Sequence, residues 1–268
     1  MQKMKQRYRY SVILLRELVR TDFKLRYQSS VLGYMWSLLR PLFLFLILYV
    51  VFGLFMKFGN GIPHYPVYLL LGIVLWNYFA EVTAGAVTAI VGKGDLLRKI
   101  SFPKYVIILA GSSSALINLA INFFVIAVFM FINHIGLTIN AFIIIPLVIE
   151  LFILSLGLAF FLSALFVKFR DISYIWEVLL QGAFYATPIL YPLSLIPHQF
   201  VKFLMLNPMA QIVQDARHVL ITPASETIYQ VFGGNVIIWF IPIGLTALIA
   251  ALSAWYFRSQ SKNFAEEV

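Results

Sequence analysis

The sequence predicts an all-α integral membrane protein: six transmembrane helices, an N-terminal amphipathic interface helix, and short re-entrant helices before the last span. Three observations carry this. Of the 268 residues, 62% are hydrophobic and only 12% charged, and mean hydropathy is +0.90. A soluble domain is about 45–50% apolar and about 25% charged. Apolar stretches near the roughly 20 residues that a helical span requires recur along the chain. The length holds six of them with short loops and little else, so residues 1–268 read as a single transmembrane domain. There are no cysteines, which excludes disulfides, thiolate metal sites and a thiol nucleophile. The basic opening MQKMKQRYRY is not followed by the clean apolar core and cleavage site of a removable signal peptide.

The first element is residues 10–26, YSVILLRELVRTDFKLR. Val12, Leu15, Val19 and Phe23 recur at helical spacing. Arg16, Arg20 and Lys24 form a strip at four-residue intervals, and Asp22 is spaced to pair with Arg26 one turn on. This predicts an amphipathic helix in the inner interface. Its basic strip serves either as an anchor on anionic lipid or as a docking surface for a partner.

Six spans follow, at Leu38–Phe55, Val67–Val91, Tyr105–Ile132, Phe142–Val167, Ser173–Leu190 and Val236–Phe257. Helices are required because lipid offers no partner to open backbone groups. The fifth is short and runs into the turn-rich ATPILYPLSLIP. Pro146, Pro188 and Pro242 predict kinks or breaks. No internal repeat supports an inverted-repeat secondary transporter.

The formal net charge of +9 is read here as topology and lipid contact rather than nucleic-acid binding. With six spans both termini share a side, and that side receives all of the 20 Lys and Arg residues except Lys57, Lys202 and Arg217. The positive-inside rule then places both termini in the cytoplasm.

Two further segments lie outside the spans. In VGKGDLLRKISFPK, residues 91–104, Gly92 and Gly94 break the preceding helix and Asp95 is positioned to cap a short one. Leu96, Leu97, Arg98 and Lys99 then form either a peg for a soluble partner's groove or a plain basic turn. Residues 191–235 are too long for a simple loop and too apolar for a solvated one. Phe200–Leu206 and Ile212–Leu220, separated by Asn207-Pro208, read as re-entrant or interfacial helices buried in protein.

The chain lacks a GxxxxGK[ST] phosphate loop, a GxSxG elbow and an HExxH helix. It therefore carries no catalytic site, metal site or cofactor of its own. The four histidines (His64, His134, His198, His218) fall on or near the outer side. Two acids lie at bilayer depth, Glu81 and Glu150. A charge there costs roughly 2.5–3.5 kcal/mol on insertion scales, so each faces the protein interior or a water-filled cavity. Asn118 and Asn122, one turn apart, follow Ser112, Ser113 and Ser114 and suit hydrogen bonds between helices. Tyr34, Trp36, Trp76, Tyr78 and Trp255 sit near span ends. There they serve a lipid-interface belt or line a conduit in which sugar rings stack on aromatic faces.

Five segments carry a family resemblance: LVRTDFKLRYQSSVLGYMWSLLRPL (18–42), DLLRKISFPKYVI (95–107), FVKFRDISYIWEVLLQ (166–181), TPILYP (187–192) and LNPMAQIVQDAR (206–217). Together, in this order, they resemble the membrane (permease) subunit of type-2 ABC exporters for cell-surface polysaccharide, in the branch exporting teichoic acids and O-antigens. The resemblance implies a homodimer with a channel at its interface. It also implies two copies of a separate ATPase that binds ATP and Mg, and an undecaprenyl-pyrophosphate-type lipid-linked polysaccharide as substrate. Residues 94–99 (Gly94, Asp95, Leu96, Leu97, Arg98, Lys99) become the coupling helix, and residues 10–26, with Arg16, Arg20, Asp22 and Lys24, the gating helix. Arg26 and Arg40 become candidates for the substrate phosphates, because a guanidinium pairs with phosphate through two hydrogen bonds. Trp36, Tyr78, Glu81 and Tyr185 are the channel-lining candidates. The expected location is the bacterial cytoplasmic membrane, multi-pass. Competing readings are a type-2 ABC permease for a lipid or drug, an integral-membrane transferase acting on lipid-linked sugars, and a scaffold subunit.

Overall fold

The computed structural model describes residues 2–27, 33–99, 102–261 and 264; the side chains of Phe23, Arg26 and Tyr34 fall outside the described set. All regular structure among the described residues is helical. Helix α1 is Gln2–Tyr27 and α2 is Trp36–Leu48, which continues as a π-helix over Tyr49–Phe55. Then come α3 (Tyr65–Val87), α4 (Gly94–Lys99), α5 (Tyr105–Ile132), α6 (Ile144–Lys168) and α7 (Ile172–Ala186). Three short helices follow, α8 (His198–Met205), α9 (Pro208–Leu220) and α10 (Ile228–Val231), before α11 (Phe240–Gln260).

Among the described residues five helices are long and apolar enough to cross a membrane: Trp36–Phe55, Tyr65–Val87, Tyr105–Ile132, Ile139–Lys168 and Val236–Gln260. The expected fifth of six, α7, has 15 residues, about 22 Å at about 1.5 Å per residue, against a core of about 30 Å. It stops early because Thr187 precedes Pro188 and takes an extended conformation (φ −82°, ψ 138°), as sterics before proline demand. Pro146 and Pro242 do not kink their helices. Each is the third residue of α6 or α11, where the missing N–H would have had no intrahelical partner.

Helix α3 is the hub, packing against α2, α5, α6, α7 and α9. Its 18-residue apolar window is 78% buried, against 17% for the spans of α2 and α11. That burial corrects the belt reading for Trp76 and Tyr78, which lie inside the core. Trp255 and Trp36 are exposed, as a belt or conduit requires. Helices α6 and α11 cross closely at Gly157, where an added Cβ would stand 2.9 Å from the Ala250 Cα. Close approach of small residues supplies dispersion where lipid supplies no hydrophobic drive.

Helix α1 packs on α5 through Leu14, Leu15 and Leu18, while Val12 is exposed. The buried face is thus rotated from the expected Val12–Leu15–Val19–Phe23 stripe. Arg16, Arg20 and Lys24 stay exposed.

Two sets of contacts define the ends of the bundle. At one end the Lys104 ammonium donates to the Ser261 carbonyl and lies 5.3 Å from the Phe264 ring centroid, joining the start of α5 to the end of α11. At the other end the Tyr65 hydroxyl donates to the Leu190 carbonyl (2.8 Å), joining the start of α3 to the turn after α7.

Candidate functional site

A cleft of about 630 Å³ opens between α2, α3 and α5, within the usual range of about 300–1,000 Å³ for ligand pockets. Its lining includes Trp36, Ser37 and Arg40 from the first turns of α2, Asn77, Tyr78 and Glu81 from α3, and Asn118 and Asn122 from α5. Four sequence-derived candidates therefore meet in one place: Trp36, Arg40, Tyr78 and Glu81. Of the other two, Arg26 has a side chain outside the described residues, and Tyr185 does not line the cleft; it is 60% exposed on α7 and stacks edge-on against Phe184.

Helical spacing builds the cleft. Asn118 and Asn122 share a face of α5 one turn apart. The Asn118 amide donates to the Glu81 carboxylate (3.0 Å). The Asn122 amide donates to the Asn118 carbonyl (2.8 Å) and reaches the Ser37 carbonyl at 3.4 Å. These bonds tie α3, α5 and the start of α2 around a polar opening. Two buried atoms among its lining residues have no partner, the Tyr78 hydroxyl and the Asn118 side-chain oxygen. Tyr78 is only 2% exposed. A buried polar atom left unpaired costs about 1–3 kcal/mol. Arg40 adds an exposed guanidinium. The other intramembrane acid, Glu150, is buried in α6 and does not line the cleft.

The basic end holds the second set of candidates. Asp22 of α1 pairs with Lys93 at 3.1 Å; the side chain of its expected partner Arg26 is outside the described residues. The pair links α1 to the turn that enters α4. Asp95 lies within the first turn of α4, after Gly94, not at the capping position. There its charge still favours the positive end of the helix dipole. Arg98 and Lys99 occupy the last turn and are exposed. Leu96 and Leu97 are half-buried against this chain's own core, so the exposed surface of α4 is mainly its charges. Burial lowers the Lys104 ammonium below the usual lysine range.

The sequence profile of the family described as ABC-2 type transporter matches residues 13–221. The chain belongs to that family. An O-antigen export system permease protein RfbA of Klebsiella pneumoniae is 32% identical, over 80% of this chain and 83% of its own length. One from Myxococcus xanthus is 29% identical over 97% of each chain. The polysialic acid transport protein KpsM of Escherichia coli is 25% identical over 73% of this chain and 76% of its own length. The chain is accordingly a membrane permease subunit of an ABC-2 transporter, with ATP binding and hydrolysis belonging to a separate protein.

In this ABC-2 permease one residue stands out that the sequence reading passed over. Arg217 of α9 is 0% exposed. Its guanidinium donates to the carbonyls of Tyr68 (3.1 Å), Pro188 (2.5 Å) and Ile189 (2.6 Å). It also lies 3.5 Å from the Tyr68 ring centroid. A planar fork with donors on three nitrogens suits a turn whose carbonyls have left the helix. Gly72 makes room for it, since a Cβ there would stand 2.5 Å from Nη2. The sequence places Arg217 on the outer side, within an expected re-entrant or interfacial helix. Only its position on a fully enclosed α9 reveals the staple between α3, the turn after α7, and α9.

Proposed function

We infer that this chain is the transmembrane subunit of an ABC exporter that carries lipid-linked polysaccharide of the O-antigen or teichoic-acid kind across the cytoplasmic membrane. The carrying observation is its similarity to permeases named for O-antigen export along 80% to 97% of its length. The polar cleft agrees with that chemistry. Its amides, carboxylate and guanidinium, set among small apolar residues such as Ala80, Ala84 and Ala115, suit a cargo with hydroxyls at its edge and apolar ring faces.

In this reading α7 and the turn through Leu190 make the sixth crossing, and α8 and α9 enter the membrane from the outer side without spanning it. Both termini, α4 and the Asp22–Lys93 pair face the cytoplasm, and α1 lies in the interface with Arg16, Arg20 and Lys24 outward. Two copies form the channel. This is supported by α2 and α7, whose large apolar side chains, including Leu46, Ile47, Tyr174 and Val178, lie exposed; a lone chain of this size encloses no passage for a glycan. Two ATPase subunits, holding ATP and Mg, dock on Gly94–Lys99 and α1. Arg98 and Lys99 set the register of α4 against acidic groups on them. Arg40, and Arg26 from the neighbouring α1, receive the phosphates of an undecaprenyl-pyrophosphate-type carrier. Trp36, Tyr78, Glu81 and Tyr185 contact the sugars.

The test is reconstitution with the cognate ATPase in vesicles loaded with lipid-linked glycan. ATP-dependent appearance of polymer on the far side is expected. Coupled ATP turnover with no glycan movement, but with movement of a lipid or drug, would replace the substrate assignment. Robust turnover by this chain alone would overturn the division of labour.

A further inference from the structure

Helix α4 is held on both flanks, by different parts of the chain. Ahead of it, Lys93 pairs with Asp22 of α1. Behind it, the chain passes through Phe102, buried in the main core, and Pro103, whose ring fixes φ. It then reaches Lys104 at the start of α5. Lys104 is half-buried. Its ammonium donates to the Ser261 carbonyl and lies 5.3 Å from the centroid of the Phe264 ring.

Both partners suit a cation. Ser261 closes α11, and the carbonyls at the end of a helix lack intrahelical donors and carry the negative end of its dipole. Phe264 offers the electron-rich face of its ring. Neither partner is loose. The Ser261 amide donates to the Phe257 carbonyl (2.8 Å) and its hydroxyl to the Arg258 carbonyl (2.9 Å). Phe264 is 1% exposed and sits edge-on to Phe257 of α11, with ring centroids 5.4 Å apart. Phe257 in turn packs on Phe160 of α6 at 4.9 Å.

The place of this contact gives it a role beyond packing. Along their lengths α5 packs against α1, α2, α3 and α6, whereas α11 packs against α6 and α9. Helices α5 and α11 are thus joined at the basic end by Lys104, Ser261 and Phe264 rather than by a shared helix face. The join fixes the exit of α4 relative to the end of α11. Close packing of Gly157 on Ala250 then carries α6 with α11.

We propose that Lys104 and Phe264 are positioning residues for ATP-driven export: they tie the exit of α4 to the end of α11, so that displacement of α4 by the ATPase moves α5 and α11 as one body. This role rests on the reading of α4 as the element that meets the ATPase, and adds the residues that carry its movement into the bundle.

The experiment uses the full chain with its ATPase in vesicles loaded with lipid-linked glycan. Polymer export and ATP turnover are measured in the same preparation, and recovery of the ATPase in pull-downs is a third readout. Lys104→Met keeps an apolar stem and removes the ammonium; Phe264→Leu keeps an apolar side chain and removes the ring. Each should leave ATPase recovery at the parental level and lower the polymer exported per ATP about fivefold, the scale of one cation–ring contact. Lys104→Arg keeps a cation with several donors and should hold the parental ratio. Loss of folded protein lowers export and turnover together and leaves their ratio unchanged. Parental ratios in Lys104→Met and Phe264→Leu therefore reduce the contact to packing and overturn the proposal, as does a Lys104→Arg variant no better coupled than Lys104→Met. Arg98→Glu separates the underlying reading. Parental ATPase recovery and export in that variant removes α4 from coupling, whereas lost recovery there, beside parental ratios in Lys104→Met and Phe264→Leu, refutes the positioning role alone.

Discussion

Replacing Arg217 tests whether the outer half of the molecule is held by a charged fork or by shape alone. In Arg217→Met the apolar stem is kept and the guanidinium is lost. The Tyr68 carbonyl stays paired within α3, but the carbonyls of Pro188 and Ile189 sit in a turn outside any helix. Each buried carbonyl left bare costs about 1–3 kcal/mol. The lost contact with the Tyr68 ring, 3.5 Å from the guanidinium, adds about 2 kcal/mol at a desolvated site. Relief from burying a cation returns several kcal/mol. The net expectation is a loss of about 2–4 kcal/mol. Arg217→Lys should do no better than Met. A single ammonium still pays for burial but cannot reach three carbonyls in a fork. Gly72→Ala attacks the same staple from the opposite side, through the 2.5 Å approach of its Cβ to Nη2. The assay is thermal unfolding of the detergent-purified protein, with proteolysis of the 187–192 turn as a local readout. A lysine variant that unfolds and resists protease like the parent would refute the fork argument, and a neutral outcome for all three substitutions would reduce Arg217 to filler.

Four further outcomes are expected. Reversing Asp22 or Lys93 singly should loosen α1 from the α4 turn and reduce coupled export, and the double swap should restore it; a half-exposed pair at 3.1 Å is worth about 0.2–1 kcal/mol, and equal export by single and double variants would show that the pair does not matter. Arg98→Glu should lower recovery of the ATPase in pull-downs more than alanine at Leu96 and Leu97, because those half-buried leucines mainly cost this chain's own stability, about 0.75–1.5 kcal/mol each at half the full-burial value; the reverse ranking would make α4 an apolar peg after all. Cysteines placed at Leu46 and Val178, in a chain with no native thiol, should crosslink between copies in membranes, and crosslinks confined to single chains would count against a pore between subunits. Tyr78→Phe removes a buried hydroxyl that has no partner, so it should leave the unfolding temperature unchanged or higher while slowing export; export at the parental rate would remove Tyr78 from the substrate path.

Composition and hydropathy alone determined that the chain is a helical membrane protein. Long apolar runs admit only one backbone solution in lipid, so α2, α3, α5, α6 and α11 were legible to within a few residues. The short α4 at Gly94–Lys99 came from the family resemblance, the residues themselves leaving a plain basic turn open, while the α8–α9 break was legible from Asn207-Pro208, where Asn207 accepts a hydrogen bond from the Met209 amide. These signals are local. What only the tertiary structure decided depends on which helix faces which. That Trp36, Arg40, Tyr78 and Glu81 share a cleft while Tyr185 stands apart follows from the packing of α2, α3 and α5. Asp22 has a partner 71 positions away at Lys93, because two elements distant in sequence meet at one end. The apolar character of residues 191–235 led to the expectation of buried helices there, but not to the carbonyls of Tyr68, Pro188 and Ile189 that hold the Arg217 guanidinium. Hydrophobic periodicity records the face a helix turns to lipid, whereas a buried polar residue is paid for by carbonyls and rings contributed from elsewhere in the chain.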